Sequence, residues 1–147
     1  MWGLDFLSAK RARGQKSVLQ GAWGEAVVAA YFRLRGYRLI GRNVHPCPRD
    51  LRCEIDLIVQ DPERCIIFVE VKTHARKSDW DNRLVRVNRR KKRVLLRACA
   101  NWLMRSRWHG KFRFDVVEVY GSYAGLVLPE IDHIENVPLF PPKWRFW

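Results

Sequence analysis

Residues 54–72 read Glu54-Ile55-Asp56-Leu57-Ile58-Val59-Gln60-Asp61-Pro62-Glu63-Arg64-Cys65-Ile66-Ile67-Phe68-Val69-Glu70-Val71-Lys72. Two apolar-rich runs flank Asp61-Pro62-Glu63-Arg64, a turn-rich tetrapeptide, so the stretch predicts a β-hairpin with strands over 52–60 and 65–73. Ile55, Leu57, Val59, Ile67, Val69 and Val71 all occupy odd positions and share one buried face. Glu54, Asp56, Glu70 and Lys72 share the other, where Ile58, Ile66 and Phe68 lie near the turn, so this face is half covered with its charges gathered at one end. A hairpin centred near Glu63 sets Asp56 opposite Glu70 and Glu54 opposite Lys72. Directly opposed side chains have Cβ atoms about 4.5–5.5 Å apart, and two carboxylates so placed repel each other. Relief comes from a proton or from a cation between them. A hard divalent cation suits the arrangement, since Mg²⁺ takes one or two carboxylates together with waters and a phosphate oxygen. Asp56, Glu70 and Lys72 therefore form a candidate phosphodiesterase centre, against the blander reading of a solvated patch with a Glu54–Lys72 ion pair.

Outward from the hairpin, the chain reads as one small α/β domain. Ser17 is a good N-cap for a helix whose stripe is Leu19, Trp23, Ala26, Val27, Ala30, Tyr31 and Leu34, and Gly36 is its stop. Residues 37–44 predict a first strand. Residues 77–88 read as a polar loop. A second helix is expected over about 88–105 on Val94, Leu95, Ala98, Trp102 and Leu103. Residues 112–120 predict a fourth strand and 124–128 a fifth. The domain boundaries follow: a basic leader over 1–16, a domain over 17–128, and a Pro/Trp-rich tail over 129–147. The tail is expected to lack regular structure while its aromatic residues dock on the domain.

The chain has 147 residues, and 28 Lys and Arg against 15 Asp and Glu give a net charge of +13. That balance points to a polyanionic partner. At 48% hydrophobic residues it is not the composition of a disordered chain. No apolar run is long enough for a membrane span, and the start, with Asp5 in place of a basic residue, does not read as a secretion signal. A cytoplasmic protein is expected. Cys47, Cys53, Cys65 and Cys99 contain no C-x-x-C pair, which argues against a zinc ribbon and for reduced thiols.

Arg83, Arg86, Arg89, Arg90, Lys91, Lys92 and Arg93 form a dense basic run that leads into the second helix. It reads as a clamp on a nucleic-acid backbone, or as a solvated face. Lys91 differs from its neighbours, because Leu95 and Ala98 follow at i+4 and i+7 on the apolar stripe. It either leans toward the active face or snorkels along the stripe's edge. Asp115 reads as structural, paired with a basic residue. Trp80, Trp144 and Trp147 are open between stacking on a base and covering the core.

These residues also resemble a known pattern. Ile55-Asp56 followed by Glu70-Val71-Lys72 is similar to the PD-(D/E)XK nuclease signature. Together with Gly21-x-x-Gly24-Glu25, Gly36-Tyr37, Asn43, Glu54-Ile55-Asp56-Leu57-Ile58, Phe68-Val69-Glu70-Val71-Lys72, Lys91 and Arg113-Phe114-Asp115-Val116, the pattern resembles the YraN-like family, which is similar to archaeal Holliday-junction resolvases. The resemblance implies a restriction-endonuclease-like α/β fold, a central mixed sheet flanked by helices. It implies Asp56, Glu70 and Glu25 as metal ligands, Lys72 as the catalytic lysine, and Mg²⁺ or Mn²⁺ as cofactor. It further implies endonucleolytic hydrolysis of DNA, extending to branched DNA, and a homodimer. From the helix alone, Glu25 sits at the border of the apolar face and an exposed position is favoured. Ile55 replaces the signature's proline, Cys53 a glycine common in the closer family, and His74 an arginine two residues after Lys72, a substitution that bears on one phosphate contact. Two other functions compete: a nucleic-acid-binding protein that keeps the fold without turnover, and a protein that binds an acidic partner or ribosomal RNA.

Overall fold

The computed structural model describes residues 3–76, 89–142 and 144, with side chains from residue 13 onward. Helix α1 spans Gly3–Leu34. Strands β1 (Arg38–Val44), β2 (Ile55–Gln60) and β3 (Ile66–His74) follow, then helix α2 (Arg89–Ser106) and strands β4 (Phe112–Tyr120) and β5 (Glu130–Ile134). The five strands form one mixed sheet in the order β1-β2-β3-β4-β5. The β1–β2, β2–β3 and β4–β5 pairs are antiparallel, while β3 and β4 run parallel. A parallel pair needs a long crossover, and α2 lies in the connection that supplies it.

The hairpin register agrees with the sequence. Leu57 pairs with Val69, Ile58 with Phe68 and Val59 with Ile67, which is the alignment that sets Asp56 against Glu70. Alternation then divides the core in two. Leu57, Val59, Ile67 and Val69 meet Val28, Ala29 and Phe32 of α1. On the other face, Ile58, Ile66 and Phe68 meet Leu95, Ala98, Cys99 and Leu103 of α2. The even face is thus covered near the turn, and its charges collect at the far end.

Three expectations are corrected. Helix α1 begins fourteen residues before Ser17. Ala9, Lys10, Arg11, Ala12, Arg13, Gln15 and Lys16 are strong helix formers that outweigh Gly14, so the helix does not start at Ser17, and the segment read as a leader is helical. The buried face of α1 is also rotated. Leu19 and Leu34 are exposed, whereas Val28, Ala29 and Phe32 are buried, because the helix packs on β2–β3 with its 24–28–32 ridge. Finally, the fifth strand lies at Glu130–Ile134, inside the segment read as an irregular tail. Val127 and Leu128 are exposed, at 84% and 91%, while Ile131 packs in the α1-side core and pairs with Val119.

The helix stop at Gly36 is as expected. Gly36 has φ +82, and Tyr37 N–H donates to Phe32 O at 3.0 Å while Gly36 N–H donates to Arg33 O at 3.0 Å, a Schellman closure. Aromatic residues of the tail dock. Phe140 packs edge-on to Phe112 at 4.9 Å between ring centroids, and Trp144 stacks on Phe140 at 5.3 Å. Trp102, on the α2 stripe, meets Phe68 edge-on. Among the described residues, no helix is long and apolar enough to cross a membrane.

Candidate active site

The site forms where β2 begins and β3 ends. The recorded β2–β3 pairing stops at Leu57 and Val69, and the next two residues on this side are Asp56 and Glu70. A cleft of about 350 Å³ opens there. One wall is α1, through Ser17, Gln20, Gly21 and Glu25. The floor is Asp56 with Glu70, Val71 and Thr73, and Lys91 of α2 closes the far side. Both helices and both central strands therefore contribute, near the carboxyl end of the parallel pair where α/β sheets commonly bind ligands.

Gly24 makes this meeting possible. A Cβ there would run into Thr73 Oγ1 and lie 3.1 Å from Thr73 Cβ and Cγ2. Only glycine lets the helix axis come so near the end of β3, and that approach carries Glu25 to the cleft. Ser17, Gly21 and Glu25 follow at four-residue spacing on one helix face. That spacing is the sequence signal of a shared face, set beside the apolar stripe of the same helix. Glu25 is half-buried in the cleft, against the exposed position that the helix alone favoured.

Asp56 is half-buried, and its Oδ2 accepts a hydrogen bond from Val71 N–H at 2.8 Å. Its pKa is pushed up to about 7, chiefly by loss of solvent and then by the negative charge of Glu70. The Val71 N–H works in the opposite direction, Glu25 adds to the rise, and Lys91 opposes it. The carboxylate thus holds a proton near neutral pH unless a cation replaces it. Glu70 is 4% exposed, and its Oε1 receives the ammonium of Lys91. Lys91 therefore reaches the active face, its stem running from a helix position four before the buried Leu95.

Lys72 is half-buried on β3 with Glu118 as its register partner on β4. It stands beside the cleft, whose lining includes its neighbours Val71 and Thr73. His74 turns toward β4, its Nε2 3.4 Å from Glu118 Oε1 and its ring stacked on Tyr120 at 5.2 Å. Glu118 itself is 2% exposed and accepts from Tyr120 Oη at 2.9 Å. Arg89, Arg90, Lys92 and Arg93 are exposed on the first two turns of α2. Arg83 and Arg86 lie outside the described residues, as do Trp80 and Trp147.

A brace that the sequence did not suggest holds the β1–β2 connection against α2. Arg97 donates from Nε to Cys53 Sγ at 3.2 Å and from its guanidinium to Asp50. Arg52 makes paired hydrogen bonds to the same carboxylate at 2.9 and 3.0 Å. The Arg52 hydrogen bond, opposed by some loss of solvent and helped by Arg97, keeps the Asp50 pKa well below the ordinary carboxylate range. Cys53 is three residues before Asp56, so the brace anchors the approach to the site. The partners are 47 residues apart, and no local spacing announces them. All four cysteines are unpaired and buried.

Asp115 is fully buried and structural, as expected. It accepts from Arg113 Nε at 3.0 Å and from Asn136 N–H at 2.8 Å, and bonds His133 Nε2 at 2.8 Å. Burial raises its pKa, but these hydrogen bonds outweigh burial and hold it low. With His133 and Glu135 it makes a cluster of metal-binding residue types. Its donors are already engaged, since His133 Nδ1 meets Tyr31 Oη at 3.1 Å and Arg113 also reaches Glu135 at 3.4 Å. Among the described residues, the acidic cleft therefore stands apart as the place where carboxylates converge with a lysine and open space.

These features define a mixed α/β protein with helices on both sides of a five-stranded sheet and an acidic cleft beside its parallel pair. The chain belongs to the UPF0102 family, the YraN-like family that its motifs resemble. The profile described as "Uncharacterised protein family UPF0102" matches residues 24–119, a span that includes Glu25, Asp56, Glu70, Lys72, Lys91 and Asp115. A UPF0102 protein of Corynebacterium efficiens is 40% identical over 119 residues, covering 80% of this chain and 89% of that relative. Another from Trichlorobacter lovleyi is 34% identical over 125 residues, covering 84% and 91%.

Proposed function

We propose that this protein is a metal-dependent endonuclease of the PD-(D/E)XK type that hydrolyses DNA phosphodiester bonds, branched DNA among them. The observation that carries the reading is the convergence of Asp56, Glu70 and Glu25 on one cleft, where burial and then the charge of Glu70 push the Asp56 pKa up to about 7. The donor set fits Mg²⁺ or Mn²⁺: carboxylate oxygens, room for waters, and no thiol or imidazole among the described residues that line the cleft. Asp56, Glu70 and Glu25 would hold the ion, which when bound lowers the pKa of a water and offsets charge on the phosphoryl oxygens. The chain's own work is to position. Val71 N–H fixes the Asp56 carboxylate, Gly24 brings Glu25 in, and Lys72 beside the cleft serves as the catalytic lysine. Exposed Arg89, Arg90, Lys92 and Arg93 meet the DNA backbone, together with Arg83 and Arg86. Cutting two strands calls for two centres, so the active form is a homodimer acting in the cytoplasm.

A second reading, nucleic-acid binding without turnover, draws support from the Lys91–Glu70 pair, which already supplies a cation to the cleft. One experiment separates the two. Labelled duplex, single-stranded and four-way-junction DNA are incubated with Mg²⁺ or Mn²⁺ and with native protein, Lys72→Ala or Asp56→Ala. Metal-dependent cutting that both substitutions abolish is expected. DNA binding with no cutting of any substrate, unaffected by metal or by Asp56→Ala, would replace the nuclease with the binding protein.

A further inference from the structure

We propose that Lys91 is a displaceable counter-ion, which couples entry of a divalent cation into the cleft to binding of a nucleic-acid phosphate. The inference rests on the metal-binding reading of the cleft and goes beyond it, by giving one side chain two alternative partners.

The two ends of the Lys91–Glu70 pair are unequal. Glu70 is 4% exposed and fixed on a central strand. A carboxylate so placed is poorly solvated and is stabilised by a cation beside it. The Lys91 side chain is 49% exposed, on a flexible four-carbon stem that keeps a hydrated ammonium in reach of solvent. Glu70 is held in place beside its positive partner, whereas the long stem of Lys91 lets its ammonium swing toward another anion. A divalent ion bound by Asp56 and Glu70 would meet the ammonium at close range and repel it, so loading the cleft drives the pair apart.

The neighbours of Lys91 supply its second partner. It lies in the first turn of α2, between exposed Arg89 and Arg90 on one side and Lys92 and Arg93 on the other. A polyanion attracted by those four residues places phosphates next to Lys91. A phosphate that takes the ammonium leaves Glu70 in need of a cation. Metal and polyanion therefore favour each other, and linkage makes the effect reciprocal.

The test measures Mn²⁺ affinity at pH 8 by the loss of its free-ion paramagnetic signal. It uses the full chain, with and without a phosphorothioate duplex that resists cleavage. The duplex should tighten Mn²⁺ binding to the native protein by roughly fivefold or more, within the usual range of coupling. Lys91→Met should bind Mn²⁺ more tightly in the absence of duplex and lose most of that enhancement, while Lys91→Arg retains it. Lys91→Gln replaces Lys91→Met if melting shows the latter to be unfolded. A readout on the native chain follows the Lys91 resonance after ¹³C-methylation of lysines, assigned with Lys91→Arg; it should move on adding Mg²⁺ alone. The proposal is overturned if Lys91→Met or Lys91→Gln keeps both native affinity and native enhancement, or if that resonance does not move. Failure of the underlying reading looks different: Mn²⁺ then binds neither native nor variant protein, or binds Glu70→Gln as well as native.

Discussion

Val71 N–H donates to Asp56 Oδ2 at 2.8 Å, so the carboxylate that opens β2 is tied to the strand that carries Glu70. The bond holds two acidic groups together that would otherwise separate, and the folded chain meets the cost by keeping a proton on Asp56 up to about pH 7. The sign follows from linkage. A folded pKa above the ordinary value of 3.8 means that the native state binds more protons, so stability falls as pH rises from about 4 to about 7. Asp56→Asn keeps an oxygen for Val71 and removes the charge. It should raise stability at pH 8 by on the order of 1–2 kcal/mol, after discounting for partial exposure, and flatten the decline between pH 4 and 7. Denaturant unfolding across that pH range measures both.

The same proton competes with a divalent ion. Mg²⁺ or Mn²⁺ should raise the melting temperature strongly at pH 8 and weakly at pH 5.5, where Asp56 is protonated. Ligand held at a hundredfold its Kd stabilises by about 2.7 kcal/mol, a shift well within the resolution of a melting curve. Chelation should reverse it, and Glu70→Gln should remove it at both pH values. A metal-induced shift that survives Glu70→Gln would place the ion elsewhere.

The hairpin was legible because a strand's two-residue period forces its side chains apart by face, and one turn fixed the register of both runs. Asp56, Glu70 and the β4 boundaries followed from that local pattern. Glu25 and Lys91 were harder, because a helix residue at the edge of an apolar stripe has two destinations. Only the packing of α1 at Gly24 and of α2 at Leu95 decides between them. The Arg97–Asp50 brace and the His133–Asp115 bond join residues distant in sequence, and local patterns carry no trace of such pairs. The misplaced β5 shows the same limit. Its residues are no more strand-like than 124–128, and what selects them is the fit of Ile131 against the α1-side core and of His133 beside Phe32.

Gly24 tests how closely α1 must approach. Gly24→Ala would ordinarily help a helix by up to about 1 kcal/mol, yet here the new methyl group meets Thr73. The clash should dominate and destabilise the protein by about 1–3 kcal/mol, the usual range for overpacking. Thr73→Ser removes the methyl group but keeps Oγ1, the nearest atom, whereas Thr73→Ala removes both, so Gly24→Ala with Thr73→Ala should recover much of the loss. Because Glu25 moves with the helix, the single variant should also lower divalent-ion affinity. Stability measured for the four corners of this double-mutant cycle isolates the contact.

Arg89, Arg90, Lys92 and Arg93 give the last prediction, which separates attachment to the nucleic-acid backbone from reading of bases. All four are exposed on the opening turns of α2, where long, flexible cations can follow a phosphate chain. Their contribution should be electrostatic and independent of sequence. Affinity for duplex DNA should then fall linearly on logarithmic axes as salt rises, and each phosphate contact removed should reduce the slope by about 0.9. Replacing these four residues by Gln one at a time should lower the slope stepwise and weaken binding equally for duplexes of unrelated sequence. Folding should be unaffected, since none of the four is buried. Fluorescence anisotropy on two duplexes at several salt concentrations provides the check. A substitution that weakens binding to one sequence alone, with the salt slope unchanged, would mean that the α2 N-terminus reads bases.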